Sequence, residues 1–320
     1  RNPVQDLDSL PFVSDIYKRF LNIDNYFYCH SLYPLVVFDT SRGCPYQCSF
    51  CAYPQTFSGH KMRYRSIENV ADEFEYIKNE LPTVKSIMLE DDTFIIDKKR
   101  TLKLAEELIK RNNSIPFDSN CRADINEDLA FFTTLKKAGA RLFCVGFESG
   151  DDTVLNHMKK KLNLSKTEKF IKMCKKAKIK VHGCFMVGNL NETTETLHKT
   201  LDLALKLKPD TAQFYPIMVY PGTAAYEDAK AKGYLQTEDF SKWLTEDGLH
   251  NSVVNLPHIT AKELVEFCDY ARKKFYLNPS YIMRKLAQSL TNFNELKRNL
   301  KGFKTLIGYI FRGTFGKKNR

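Results

Sequence analysis

From about residue 35 the chain alternates short apolar runs with longer stretches in which apolar residues recur every three or four positions. The short runs predict strands at Leu35–Asp39, Ser86–Leu89, Phe117–Ala123, Leu142–Phe147, Val181–Val187 and Thr211–Tyr215. Between them the helical spacing is carried by Ile67, Val70, Phe74 and Ile77, by Leu104, Leu108 and Ile109, and by Leu129, Phe132 and Leu135. It continues through Phe170, Met173, Cys174 and Ala177, and through Leu197, Leu201, Ala204 and Leu205. Ser165-x-x-Glu168 reads as a capping box at the start of the fourth of these helices. Gly139 closes the third helix and Pro209 the fifth. A further helix is expected over Ala261–Phe275, with Leu264, Phe267, Cys268 and Ala271 on one face.

Strand–helix alternation of this kind implies parallel strands joined by crossovers, an α/β core. There are six such units, fewer than the eight that close a full barrel. The expected organisation is an irregular linker over residues 1–34, the α/β core over 35–235, and a helical extension ending in a basic tail over 236–320. The chain opens on Arg1, not Met, as a processed chain or a piece of a longer one would.

Charge sharpens this division. The net charge is +11, but residues 284 to 320 hold ten Lys or Arg against one acid, Glu295, and so account for +9 of it. The body is near neutral, which argues against a nucleic-acid groove across the core. In the tail the basic residues interleave with Phe303, Leu306, Ile307, Tyr309, Ile310 and Phe311. Such a segment suits a closing helix with a solvated basic face or, as the second reading, an anionic membrane surface. No run of eighteen apolar residues occurs and no signal peptide is visible, so a membrane span is not expected. Nine cysteines without framework spacing fit a reducing, cytoplasmic setting. Cys144, Cys174, Cys184 and Cys268 lie in apolar segments and are expected to be buried.

Three cysteines stand apart, in Arg42-Gly43-Cys44-Pro45-Tyr46-Gln47-Cys48-Ser49-Phe50-Cys51, directly after the first strand. A zinc site would need a fourth Cys or His at ligand spacing, and a bacterial ferredoxin a different cysteine run; neither is present. Three thiolates on a [4Fe–4S] cluster leave one iron open, and an open metal position is one that does chemistry.

The Cys-x3-Cys-x2-Cys spacing resembles the signature of the radical S-adenosylmethionine (radical SAM) enzymes. The resemblance extends to Arg63-Tyr64-Arg65-Ser66, Asp91-Asp92-Thr93-Phe94 and Tyr220-Pro221-Gly222-Thr223. These are similar to the subgroup that carries a cobalamin-binding domain, including bacteriochlorophyll cyclases. Cys51-Ala52-Tyr53-Pro54-Gln55-Thr56 is most like its hopanoid-associated members. The resemblance implies a partial (β/α)6 barrel with its site at the carboxyl ends of the strands. It implies a [4Fe–4S] cluster on Cys44, Cys48 and Cys51, and SAM on the open iron. It places Phe50 and Gly188 beside the adenine, and Asp91, Asp92, Arg122 and Glu148 around the rest of SAM. Arg122 is read either as a partner of a carboxylate, of SAM or of Glu148, or as a structural ion pair. His60 is read as a substrate or proton contact or as a loop hydrogen bonder, and Tyr215 and Tyr220 as substrate wall or as packing aromatics.

The expected reaction is reductive cleavage of SAM to a 5′-deoxyadenosyl radical that abstracts hydrogen from an organic, lipid or polycyclic substrate. The electron donor would be a flavodoxin or ferredoxin. Cobalamin is implied only if a separate N-terminal domain exists, since no Asp-x-His-x-x-Gly ligand motif occurs here. The alternatives are a tRNA-modifying member of the same family, an iron–sulfur electron carrier, or a zinc-binding interaction module.

Overall fold

The computed structural model of the chain describes residues 3–28, 30–124, 128–245 and 251–290, with Gly308 and Thr314. In chain order its elements are α1 (Val13–Phe20), β1 (Leu35–Phe38), β2 (Ser41–Arg42), β3 (Arg63–Tyr64), α2 (Ile67–Glu80) and β4 (Ser86–Leu89). Next come α3 (Lys98–Lys110), β5 (Phe117–Cys121), α4 (Leu129–Lys137), β6 (Ala140–Glu148), α5 (Asp152–His157), α6 (Leu164–Lys176) and β7 (Lys180–Val187). The series ends with α7 (Thr194–Leu207), β8 (Thr211–Pro216), α8 (Ala224–Ala231), α9 (Ala261–Tyr276) and α10 (Pro279–Leu290).

Six strands form one sheet in the order β1-β4-β5-β6-β7-β8, so each strand neighbours the next crossover's strand. Leu35 lies opposite Ser86, Ile87 opposite Phe117, and Phe117 opposite Ala140, all in parallel register. The small strands β2 and β3 pair separately and antiparallel, Ser41 with Tyr64 and Arg42 with Arg63. β4 is buried at all four positions, the mark of a strand covered on both faces. β8 instead alternates, with Ala212, Phe214 and Pro216 buried.

The chain folds as two compact units that interleave along the sequence: one of residues 1–147, 161–183 and 209–211, the other of 148–160, 184–208 and 212–320. In the first, Phe38, Phe74 and Phe117 stack edge to face at 5.7 and 6.1 Å, with Phe132 and Phe170 at 5.6 Å. Each fully buried ring contributes roughly 1.5–3 kcal/mol, more where rings meet in this geometry. In the second unit Phe185 stacks on Phe214 at 5.2 Å and Phe275 closes on Phe214 at 6.2 Å.

Helix starts follow side-chain caps: Ser66, Asp97, Asp128, Asp151, Thr193, Thr223 and Thr260 each accept from a backbone amide of the first turn. The expected box at Ser165 is corrected. Asn163 is the cap of α6, its Oδ1 accepting from the amides of Ser165 and Lys166. The linker expected to be irregular contains α1, with Ser14 buried against α2. Cys174 and Cys268 are buried as expected, but Cys144 and Cys184 are only half-buried. Most of the basic tail, including Phe303, Leu306, Ile307, Tyr309, Ile310 and Phe311, lies outside the described residues. Among those described, no helix is long and apolar enough to cross a membrane.

Candidate active site

In the first unit the cysteine loop leaves β2 and returns through β3, so a two-stranded hairpin closes its base. Gly43 opens it at φ +102°, where a Cβ would lie 2.3 Å from the Lys61 carbonyl oxygen; only glycine fits this approach. The Cys44 amide donates to the Gly59 carbonyl at 3.2 Å, and the Cys51 amide to the Cys48 carbonyl at 3.2 Å. A one-turn π-helix, Tyr53–Phe57, aims Gln55 back at the loop. Its Nε2 donates to the carbonyls of Cys48, Ser49 and Cys51 at 3.1, 3.2 and 2.7 Å. None of the three cysteines is in a disulfide; Cys48 is buried, and Cys44 and Cys51 are half-buried. Burial pushes the Cys44 thiol up, a cost that a bound cation would reverse.

The acids at the end of β4 divide their work. Asp91 is wholly buried, and its carboxylate accepts from the Thr40 amide, the Thr40 hydroxyl and the Ser41 hydroxyl at 2.5–2.6 Å. Both of its oxygens are thus engaged in fixing the turn between β1 and β2, where the sequence had suggested a contact to SAM. Asp92 turns the other way: Oδ2 accepts from the Gly43 amide at 2.7 Å, while Oδ1 is buried without a hydrogen-bond partner among the described residues. Asp39, at the end of β1, has the same character. Its Oδ2 is paired with Arg42 at 2.6 Å and its Oδ1 is buried without a hydrogen-bond partner among the described residues. Burial, against the pull of Arg42, pushes the Asp39 carboxyl up to about 7, with Asp91, Glu90 and Asp92 adding repulsion. Burial also raises Glu90. These carboxyl groups crowd together beside the cysteine loop, and burial opposes the charge on Asp39, Glu90 and Asp91.

Arg122 ion-pairs with Asp124 at 2.8 Å, and its guanidinium lies 3.6 Å from the ring centroid of Tyr46, within the cysteine loop. That stacking makes it a support of the loop. His60 is exposed, with Nδ1 at 3.2 Å from the Cys44 carbonyl, the hydrogen-bonding alternative of its two readings. Phe50 is half-buried, immediately before Cys51.

In the second unit Glu148 ends β6 at φ +62° and is buried. Its carboxylate meets the Lys160 ammonium at 2.8 Å and accepts from the Tyr215 hydroxyl at 3.3 Å. Gly150 follows because a Cβ there would lie 2.2 Å from the Lys199 carbonyl oxygen of α7. Gly188 turns at φ +87°, packed so closely under Leu264 of α9 that a Cβ would lie 2.9 Å from its Cδ1. The Gly188 and Asn189 amides donate to Glu192 Oε2 at 2.5 and 3.0 Å. Tyr220 is 46% exposed and sits against Trp243 at 6.3 Å.

Sequence reasoning missed Asp39, Gln55, Lys160 and Glu192. Asp39 was legible in principle as the acid that ends the first strand. Lys160 gave no local signal, since it meets Glu148 twelve residues away, whereas Glu192 closes a local turn on the Gly188 and Asn189 amides four and three positions before it.

The Radical SAM superfamily model matches residues 38–204, just over half of the chain. An uncharacterized methyltransferase of Pyrococcus horikoshii is 30% identical over 88% of this chain and 59% of its own length. The anaerobic magnesium-protoporphyrin IX monomethyl ester cyclase of Rubrivivax gelatinosus is 26% identical over 94% of this chain and 52% of its own. The chain thus spans about half the length of these curated relatives. Among solved structures, the radical SAM methyltransferase TsrM from Kitasatospora setae superposes with a TM-score of 0.61 at 19% identity, covering 74% of this chain and 52% of TsrM. The cobalamin-dependent radical enzyme OxsB superposes at 0.62 and 17% identity, over 84% and 45%. These likenesses share the parallel α/β partial barrel. The cysteine loop at the end of the first strand, in a six-stranded α/β core matched by that family model, makes this chain an enzyme of the radical SAM superfamily, whose cofactors are a [4Fe–4S] cluster and S-adenosylmethionine.

Proposed function

We propose that the chain carries the catalytic core of an enzyme that takes a hydrogen atom from an organic substrate after reductive cleavage of SAM. The cluster, when bound, supplies the single electron that breaks the sulfonium bond and so generates a 5′-deoxyadenosyl radical. The chain's residues fit that pair of groups. Three undisulfided cysteines offer a ligand set with one place open, on a loop shaped by Gly43 and Gln55.

The observation that carries the reading lies beside them. Two buried carboxylate oxygens, Asp39 Oδ1 and Asp92 Oδ1, have no hydrogen-bond partner among the described residues. Buried acceptors of this kind call for a cation. The α-ammonium of SAM supplies one, with three protons to donate. Asp92 would hold it while its other oxygen fixes Gly43 and hence the cysteine loop. Asp91 keeps the turn before that loop closed, and Arg122 supports Tyr46 from beneath. In the other unit Glu148 is held by Lys160 and Tyr215.

A hydrophobic or polycyclic substrate is part of the proposal, supported by the porphyrin named for the cyclase relatives. A flavodoxin or ferredoxin is the proposed electron donor. Methyl transfer is a second reading, favoured by the relatives named as methyltransferases and by TsrM, which binds cobalamin. Cobalamin would enter only with a separate N-terminal domain that binds it.

Anaerobic reconstitution with iron and sulfide, then reduction in the presence of SAM, tests the proposal. Formation of 5′-deoxyadenosine that is lost in Cys48→Ala is the expected result. Iron incorporation without cleavage would favour an electron carrier. Failure to incorporate iron would overturn the reading, and S-adenosylhomocysteine as the main product would move it to methyl transfer.

A further inference from the structure

The π-turn that carries Gln55 also holds two aromatic side chains out in water. Phe57 is 76% exposed, more than any other large apolar side chain among the described residues, and Tyr53 is 47% exposed. Their ring centroids lie 6.1 Å apart, so they form one patch. This patch rests on the cysteine loop. Gln55, between the two rings in sequence, donates to the carbonyls of Cys48, Ser49 and Cys51. The residues after it keep to the loop as well: the Gly59 carbonyl accepts from the Cys44 amide at 3.2 Å, and His60 Nδ1 lies 3.2 Å from the Cys44 carbonyl. Residues 53–60 thus touch the cysteine loop on one side and water on the other. Contiguous apolar rings left on the surface beside a reactive loop mark a place where something binds.

The charge around the patch selects the partner. Residues 40–67 hold four Lys or Arg and no acid. Arg42 is paired with Asp39 and Arg65 with Glu73, which leaves Lys61 and Arg63. Lys61 is exposed and in no ion pair among the described residues. The Arg63 guanidinium donates to the backbone carbonyls of Val4 and Ser58, which leaves its charge standing. Asp8, which reaches the end of this stretch, is engaged with the Ser66 amide. Two exposed rings with a positive rim match a partner with an apolar centre and an acidic surround.

We infer that Tyr53, Phe57 and Lys61 form the surface on which a flavodoxin docks to deliver the electron. The inference rests on the function proposed above, in which one electron must reach the cysteine loop from outside the chain. Electrons cross only a short span of protein, so the donor has to seat close to that loop. A flavodoxin surrounds its flavin with acids and exposes a flat, apolar flavin edge. The acids face Lys61 and Arg63, and the edge faces the two rings. The flavin hydroquinone anion gives up one electron and becomes the neutral semiquinone, while the cluster's core charge falls by one unit. No bond forms or breaks and no proton moves. Redox encounters of this kind are small, below about 1,200 Å² in total, so a patch of a few side chains suffices.

Anaerobic calorimetric titration of the reconstituted full chain with an oxidised bacterial flavodoxin tests the docking apart from catalysis. The expected result is binding that weakens as salt is raised and is about tenfold weaker in Phe57→Ser. Lys61→Glu, which keeps both rings, should weaken binding at low salt and flatten its salt dependence. With reduced flavodoxin, both variants should need more of it for half-maximal 5′-deoxyadenosine formation. With dithionite, a small reductant that needs no docking, both should match the parent. If the parent forms no 5′-deoxyadenosine with either reductant, the proposed function fails, and the titration still decides the docking. Absence of flavodoxin binding would overturn the inference, as would binding that neither substitution changes. Binding of a ferredoxin in its place would overturn it in favour of that carrier, and a dimer that Phe57→Ser dissolves would do so in favour of a second copy.

Discussion

Gln55 closes the cysteine loop, and its removal separates loop geometry from ligand identity. Gln55→Leu keeps the side chain's bulk and deletes the amide that faces the carbonyls of Cys48, Ser49 and Cys51. One NH2 group has two protons, so the three contacts amount to at most two full hydrogen bonds. At about 0.5–1.5 kcal/mol each the ceiling is about 3 kcal/mol. Gln55 is half-buried, so water recovers part of what the carbonyls lose, and a loss of about 1–2 kcal/mol is expected. A loop that must be ordered before it can hold iron passes that cost to the metal, which corresponds to about a 5- to 30-fold weaker hold. The assay is anaerobic iron partition between the reconstituted protein and a competing chelator, with guanidinium unfolding as a control. All three cysteines remain, so iron should still bind, but at lower chelator tolerance. Gln55→Glu, which replaces the donor with a carboxylate facing carbonyls, should be worse than leucine. If the leucine variant holds iron as the parent does within twofold, the glutamine does not shape this loop.

Two further outcomes test the frame around the site. Glu73 is wholly buried and accepts from the Ser14 amide and hydroxyl at 2.9 Å and from the buried Arg65 guanidinium. Glu73→Ala strands that guanidinium and unfastens α1, so chemical denaturation should show a loss of about 3–5 kcal/mol; a loss under about 1 kcal/mol would mean that the pair is solvated. Glu192 gives a pH signature, because burial pushes its carboxyl up to about 7 from 4.5, against the pull of the Asn189 and Gly188 amides. A raised folded-state value means that this group favours the fold below pH 4.5 and loses that contribution as pH climbs to 7. The difference is on the order of 3 kcal/mol. Glu192→Gln should therefore flatten stability across that window and leave the protein no less stable than the parent at pH 8. Parallel pH curves for the two proteins would refute the assignment.

The scaffold was far more legible in the sequence than the site's wiring, and the reason is range. All six strands of the sheet were expected within two residues of their observed ends, because each is a short segment set beside a long helical period. Helix α1 went unread although Val13, Ile16 and Phe20 stand at helical spacing, and in the structure these three are exposed. What fixes it is polar, the bond from Ser14 to Glu73 across 59 residues. Strands β2 and β3 are two residues each, with the whole cysteine loop between them, and no window of sequence contains both.

The acidic run shows the same limit at atomic scale. Asp91 and Asp92 are adjacent and chemically identical, yet neighbouring side chains at a strand end point to opposite sides. One therefore meets Thr40 and Ser41 and is used up in holding a turn, while the other keeps a buried oxygen free of protein partners. Only the pairing of β1 with β4 decides which is which, since it brings residues fifty positions apart into contact. A motif can therefore give the type of chemistry at a strand end, but the choice between structural and ligand-facing acid belongs to the register of the sheet. Here that register leaves one oxygen of Asp92 without a hydrogen-bond partner among the described residues, and likewise one of Asp39, an acid that no motif had named.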